Sequence, residues 1–124
     1  MEIRLEFTHG PIVVSPPGGV SRETGAVTEF YGLVREREGD RSLEGLQYEA
    51  YETMAESELR RIFERLHAVY PVQRVWFVHR LGWVPVGEAS LFVRVESVHR
   101  GEGFAFLGEA ITAMKRDVPI WKRA

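Results

Sequence analysis

The 124-residue sequence predicts a single α+β domain in which helices pack on a mixed or antiparallel sheet, and three patterns carry that prediction. Period-two alternation sets Ile3, Leu5 and Phe7 against Glu2, Arg4 and Glu6, and later Ala89, Leu91, Val93 and Val95 against Ser90, Arg94 and Glu96; this marks strands with one wet face. Leu59, Ile62, Phe63, Leu66 and Val69 recur at helical spacing, as do Phe104, Leu107, Ile111, Met114 and Val118. Between the two helices, Val72 to Leu81 is apolar on both faces, as a strand in the middle of a sheet is.

The remaining elements follow in order. After the first strand (2–7) and a short apolar piece, Ile12 to Val14, the run Ser15-Pro16-Pro17-Gly18-Gly19 breaks regular structure and predicts a loop free to move. Gly25 to Arg35 reads as a long strand with Gly32 in its interior, where a bulge or the close approach of another backbone or a ligand is expected. A polar turn separates it from a second strand, Leu43 to Tyr51, and the two are expected to pair as a hairpin with a charged tip carrying Arg35 and Arg37. Thr53 and Glu56 form a T-x-x-E capping box for a helix closed by Pro71. Gly82 to Gly87 reads as a turn. The strand that follows delivers His99 and Arg100 at its end, before a helix from about Phe104 to Val118.

Composition excludes several function classes. With 44% hydrophobic and 27% charged residues the chain can bury one core, and a formal charge of −2 gives no whole-surface attraction for nucleic acid or an anionic membrane. The absence of cysteine excludes disulfides, thiolate metal sites and a cysteine nucleophile, so any sulfur chemistry needs sulfur brought by another molecule. No signal peptide or membrane span is read in the sequence, which predicts a cytoplasmic protein. No metal-ligand spacing or phosphate loop appears; His9, His67, His79 and His99 are scattered, and only His99, beside Arg100, is held open as a site residue.

The segment Ile111 to Ala124 holds the sharpest signal. Lys115 and Lys122 are the only lysines, whereas the other fourteen of the sixteen basic residues are arginines. An ammonium is a compact donor whose pKa moves on burial and which becomes a nucleophile or base once neutral; a guanidinium stays charged. A reactive site is one reading. The other is cations meeting the end of a helix dipole, in a chain that simply favours Arg. Lys115 lies about 40° round the helix from Ile111, at the edge of the expected apolar stripe, which predicts partial desolvation. Pro119 turns the chain and frees Lys122 from helical geometry. Together Arg35, His99, Arg100, Lys115, Lys122 and Arg123 suit a small phosphorylated or carboxylated ligand.

The stretches Gly25 to Arg35, Tyr48 to Met54, His79 to Gly82, His99-Arg100 with Phe104, and Lys115 to Lys122 resemble the catalytic subunits of molybdopterin synthase, in order and spacing. The resemblance implies a hammerhead-type α/β fold and no cofactor. It also implies transfer of two sulfurs to cyclic pyranopterin monophosphate from a ubiquitin-like small subunit whose C-terminal Gly-Gly carries a thiocarboxylate. A homodimer of large subunits within a heterotetramer is expected. Carried onto this chain, Lys115 and Lys122 are the catalytic lysines, and Leu33, Val34, Arg35, His99, Arg100, Arg123 and Ala124 join them around the substrate. The part before Gly25 departs from the family pattern, and relatives commonly continue past the position of Ala124, so contacts of a longer tail are expected to be missing or supplied by the dimer mate. From the residues alone, a non-enzymatic α+β module binding a phosphorylated ligand or RNA, and a scaffold that only docks a partner, stay open.

Overall fold

A computed structural model describes all residues, 1–124. Its main sheet contains β1 (Glu2–Thr8), β6 (Arg74–Arg80), β8 (Ala89–Ser97) and β2 (Ala26–Leu33), in the order β1-β6-β8-β2. β1 runs parallel to β6, and the other pairs are antiparallel, so the sheet is mixed. The expected central position of the 72–81 strand is met by β6. A second, antiparallel sheet has the order β7-β5-β9, from β7 (Gly82–Pro85), β5 (Gly45–Ala50) and β9 (Ile120–Arg123). Two-residue strands β3 (Arg37–Glu38) and β4 (Arg41–Ser42) form a small hairpin. The helices are α1 (Glu52–His67) and α2 (Arg100–Asp117).

The helices pack on one face of the main sheet around Phe63, Phe77 and Phe106, whose neighbouring ring centroids lie 6.2 and 5.8 Å apart. Val75, Val93, Val95, Leu59, Ile62 and Ala110 complete that core. A smaller cluster of Val34, Leu43, Leu46 and Val84 sits under the second sheet. The opposite face of the main sheet is a stack of arginine and aromatic groups: Arg4 and Arg94 lie over Trp76, and Tyr31 and Trp76 flank Phe92.

Several expectations are corrected. The 25–35 and 43–51 strands are not a hairpin: β2 pairs with β8 and β5 with β7 and β9. Alternation marks a strand with two different faces but does not name its neighbour, and only residues 37–42 at the tip pair locally. The Thr53 capping box does not form. The Tyr51 amide bonds the Pro119 carbonyl, β5 ends there, and α1 starts at once with Tyr51 as an N-cap lacking a side-chain bond; Thr53 is already inside the helix. Val69 lies beyond the end of α1 and is exposed. Gly82 to Gly87 contains the strand β7, with Gly82 and Gly87 at φ +85°, where only glycine is unstrained, letting the chain leave β6 and return to β8. The Ser15 to Gly19 loop is tied to the sheet, since Arg94 donates to the Ser15 carbonyl at 2.6 Å and Arg74 to that of Gly18 at 3.1 Å. Helix α2 begins at Arg100, and its buried side is Gly103, Phe106, Leu107, Ala110, Ala113 and Met114, with Phe104 exposed.

Gly103 sets how closely α2 approaches the sheet, because a Cβ there would stand 2.8 Å from Ser97 Oγ and 3.0 Å from Thr28 Oγ1. Ser97 is fully buried and donates to the His99 carbonyl, so it cannot swing away without losing that bond. Gly103→Ala gains about 1 kcal/mol of helix propensity but overpacks a tight contact at a cost of about 1–3 kcal/mol. A lower urea midpoint for the variant, with an unchanged m-value, is the expected outcome; a stabilised variant would show that the helix has room to move.

Candidate functional site

A cleft of about 560 Å³ opens where the two sheets and the end of α2 meet. One wall is the end of β2 and the residues after it, Phe30 to Arg35; the hairpin contributes Arg37 and Glu38, α2 gives Met114 and Lys115, and β9 gives Ile120 to Lys122. The floor is formed by Tyr48, His79, Ser90 and Leu91.

Backbone pairing explains why Lys122 faces this cleft. In the antiparallel register Tyr48 lies opposite Lys122, so the two share a face of the second sheet, while Trp121 pairs with Glu49 and Arg123 with Gln47 on the other. Arg123 accordingly bonds Glu49 at 3.4 Å, and the Trp121 indole N–H donates to Glu49 at 3.0 Å. Lys122 Nζ stands 3.2 Å from Glu38 Oε1, across from the hairpin. A break in register between Gly32 and Leu33 bends β2 at the cleft wall, which fits the interior glycine. The wall therefore carries Arg35, Arg37, Lys115 and Lys122 against the single carboxylate of Glu38. In a chain of net charge −2 this is a local excess of cations, suited to a small oxyanion.

Of the residues singled out in the sequence, Leu33, Val34, Arg35, Lys115 and Lys122 come together around the cleft. His99 and Arg100 do not. They sit at the start of α2, about 22 Å along the helix axis from Lys115 at 1.5 Å per residue, and His99 contacts Glu102 at 3.4 Å. Arg123 and Ala124 also lie outside it. The expected partial desolvation of Lys115 is not met: its side chain is exposed, because the buried stripe of α2 centres on Phe106, Ala110 and Met114 instead of Phe104 and Ile111, rotating Lys115 further towards solvent.

The sequence reading missed Tyr48 and His79. Parity holds the signal for both, since Tyr48 shares its strand face with buried Leu46 and His79 shares its face with buried Val75 and Phe77. His79 is 4% exposed, and burial lowers its pKa from 6.5 to about 4, only partly offset by the bond to the Arg80 carbonyl. The ring stays neutral at physiological pH.

The fold is that of a single-domain α+β protein, and its cationic cleft is chemically suited to a small anion. The chain belongs to the MoaE family, whose model, described as MoaE protein, matches residues 10–117. A molybdopterin synthase catalytic subunit of Bos taurus is 40% identical over 104 residues, covering 84% of this chain and 55% of the bovine protein; that of Homo sapiens is 39% identical over a stretch of the same length, with the same coverage. The chain thus spans about half the length of these curated relatives. A solved molybdopterin synthase from Staphylococcus aureus superposes with a TM-score of 0.83 at 31% identity, covering 94% of this chain and 87% of that one. A MoaE protein from Burkholderia ambifaria, 22% identical with a TM-score of 0.81 over 100% of this chain and 83% of that one, shares the fold. No helix is long and apolar enough to cross a membrane.

The depressed His79 pKa makes stability depend on pH. The unfolded chain takes up this proton near pH 6.5 and the folded chain only near 4, so the contribution is complete above about 6.5 and lost as pH falls to about 4, by about 3 kcal/mol. His79→Gln is expected to remove that increment: urea midpoints of wild type and variant should converge between pH 7 and 4.5, and a constant difference would exclude a buried neutral histidine.

Proposed function

We propose that this chain is the catalytic subunit of a molybdopterin synthase, acting in the cytoplasm to transfer sulfur from a ubiquitin-like small subunit to cyclic pyranopterin monophosphate. The observation that carries this reading is that the chain's only two lysines, fourteen residues' worth of arginine notwithstanding, both line one cationic cleft although they come from different elements, α2 and β9. Membership of the MoaE family supports it. A fold neighbour from Helicobacter pylori, described as a complex of subunits 1 and 2 of molybdopterin-converting factor, supports a small-subunit partner.

In this reading the partner's Gly-Gly thiocarboxylate threads into the cleft. Its sulfur forms a C–S bond to the pterin side chain as the cyclic phosphate opens. Water then cleaves the acyl–sulfur bond, leaving the sulfur on the pterin and a carboxylate on the partner. A second charged partner then forms the other C–S bond at the neighbouring side-chain carbon of the retained, half-sulfurated intermediate, whose oxygen leaves as water, and water again cleaves the acyl–sulfur bond. Lys115 stabilises the negative charge that develops at the tail, and Lys122 moves a proton at the leaving phosphate oxygen. Arg35 and Arg37 hold the phosphate. His99 and Arg100 serve the cleft of a second copy in a homodimer, which accounts for their exposure at the far end of α2. Two such large subunits with two small ones make the heterotetramer.

The test mixes the protein with the thiocarboxylated partner and the cyclic pterin and assays dithiolene product. Lys115→Ala is expected to lower turnover by about 10²-fold or more, and Lys115→Arg to fail likewise, because a broad planar guanidinium does not place its charge where the compact ammonium stands against the tail. Since Lys115 is exposed, stability should change by no more than about 0.5 kcal/mol. Near-normal turnover in Lys115→Arg, with salt-sensitive binding of polyanions, would favour a non-enzymatic phosphate or RNA binder. Mixed dimers of Lys115→Ala and Arg100→Ala subunits are expected to regain activity that neither homodimer has. No recovery would exclude a site shared between the two copies, and an active Arg100→Ala homodimer would place Arg100 outside the site.

A further inference from the structure

The floor of the cleft holds a histidine to which sulfur transfer as described gives no task. His79 is the last inward residue of the row Val75, Phe77, His79 on β6, at the point where the main core opens into the cleft. Its Nδ1 lies 2.8 Å from the Arg80 carbonyl oxygen. A carbonyl only accepts, so Nδ1 carries the proton, and in a neutral ring Nε2 is then a bare lone pair. No group of the chain donates to Nε2. Nor is that atom sealed in, since Arg80 Nε is the one enclosed side-chain nitrogen or oxygen left without a partner. The ring is held in place by Tyr48, edge-on at 5.1 Å, and by Phe77 at 6.3 Å.

The cleft thus has two chemically opposite ends. Arg35, Arg37, Lys115 and Lys122 offer only donors, while the floor at His79 offers an acceptor that cannot turn away. A ligand satisfying both ends carries an oxyanion at one side and an N–H at the other. A phosphorylated pterin has this form, with phosphate oxygens distant from the N–H donors of its aminopyrimidinone ring. Building on the molybdopterin synthase reading, we propose that His79 Nε2 is a specificity-determining acceptor that takes a hydrogen bond from a ring N–H of the bound pterin. A ligand lacking that N–H leaves a desolvated acceptor unpaired and is rejected.

Two substitutions separate this role from a merely structural one. In His79→Asn the amide N–H can still satisfy the Arg80 carbonyl, but the acceptor is withdrawn from the floor. In His79→Gln the longer amide brings an oxygen to the position of Nε2. With the complete synthase, His79→Asn is expected to raise KM for cyclic pyranopterin monophosphate about tenfold, the equivalent of one hydrogen bond, with kcat within about twofold; His79→Gln is expected to stay within about threefold in KM. The ¹⁵N resonance of His79 Nε2 should fall where an unprotonated ring nitrogen does, and move upfield on saturation with the pterin alone. An unchanged KM in His79→Asn while product still forms would overturn the proposal. So would a shift of that resonance produced by the partner's Gly-Gly tail and not by the pterin, because the acceptor would then serve the peptide. Absence of any dithiolene from the wild-type synthase would remove the sulfur-transfer reading itself, and the inference with it.

Discussion

The reversal of the chain at Val118 and Pro119 is the constraint on which the site depends. α2 ends at Asp117, the Pro119 carbonyl accepts from the Tyr51 amide, and β9 then zips antiparallel onto β5. Three consequences follow from this one arrangement. The start of α1 is fixed against the end of α2, Ile120 is drawn against the main core, and Lys122 is turned to the same face as Tyr48. Without the β5–β9 pairing Lys122 would be an ordinary cation on a terminal tail, with no fixed relation to Lys115. Proline suits the turn because it cannot continue the helix and its carbonyl remains free to accept.

Electrostatics divides the molecule sharply. The outer face of the main sheet neutralises its arginines one by one: Arg94 pairs with Glu29 at 2.5 Å, Arg74 with Glu96 at 2.7 Å, and Arg80 with Glu88 at 2.7 Å. Glu96 and Arg94 are buried, so these pairs are hydrogen-bonded groups whose loss would strand a charge, and they fix the N-terminal loop against the sheet. At the cleft, by contrast, four cations face one carboxylate. Attraction for an anion is thus concentrated in one place, which is why net charge says little about what the chain binds.

Much of this was legible in residue order. The strand at β1, the central β6, the presence of both helices and the singling out of Lys115 and Lys122, which line one cleft, follow from periodicity and from the contrast between lysine and arginine usage. Pairing partners were not legible. β2 and β5 alternate alike, and the choice of β8 for one and of β7 and β9 for the other is made by contacts between residues far apart in sequence, which local pattern does not encode. β7 and β9 are four residues each, too short to show a period, and glycine and proline disguise them as turns. His99 and Arg100 read naturally as neighbours of Lys115 because all lie on or beside one helix, yet the length of α2 separates them.

The ion pair between Lys122 and Glu38 joins elements of very different restraint. Lys122 rides on a strand hydrogen-bonded into a sheet, whereas Glu38 sits in a two-residue hairpin that pairs only with itself. An anion at this ammonium therefore competes with a half-exposed carboxylate on the less restrained of the two elements, an ion pair of the kind worth no more than about 1 kcal/mol.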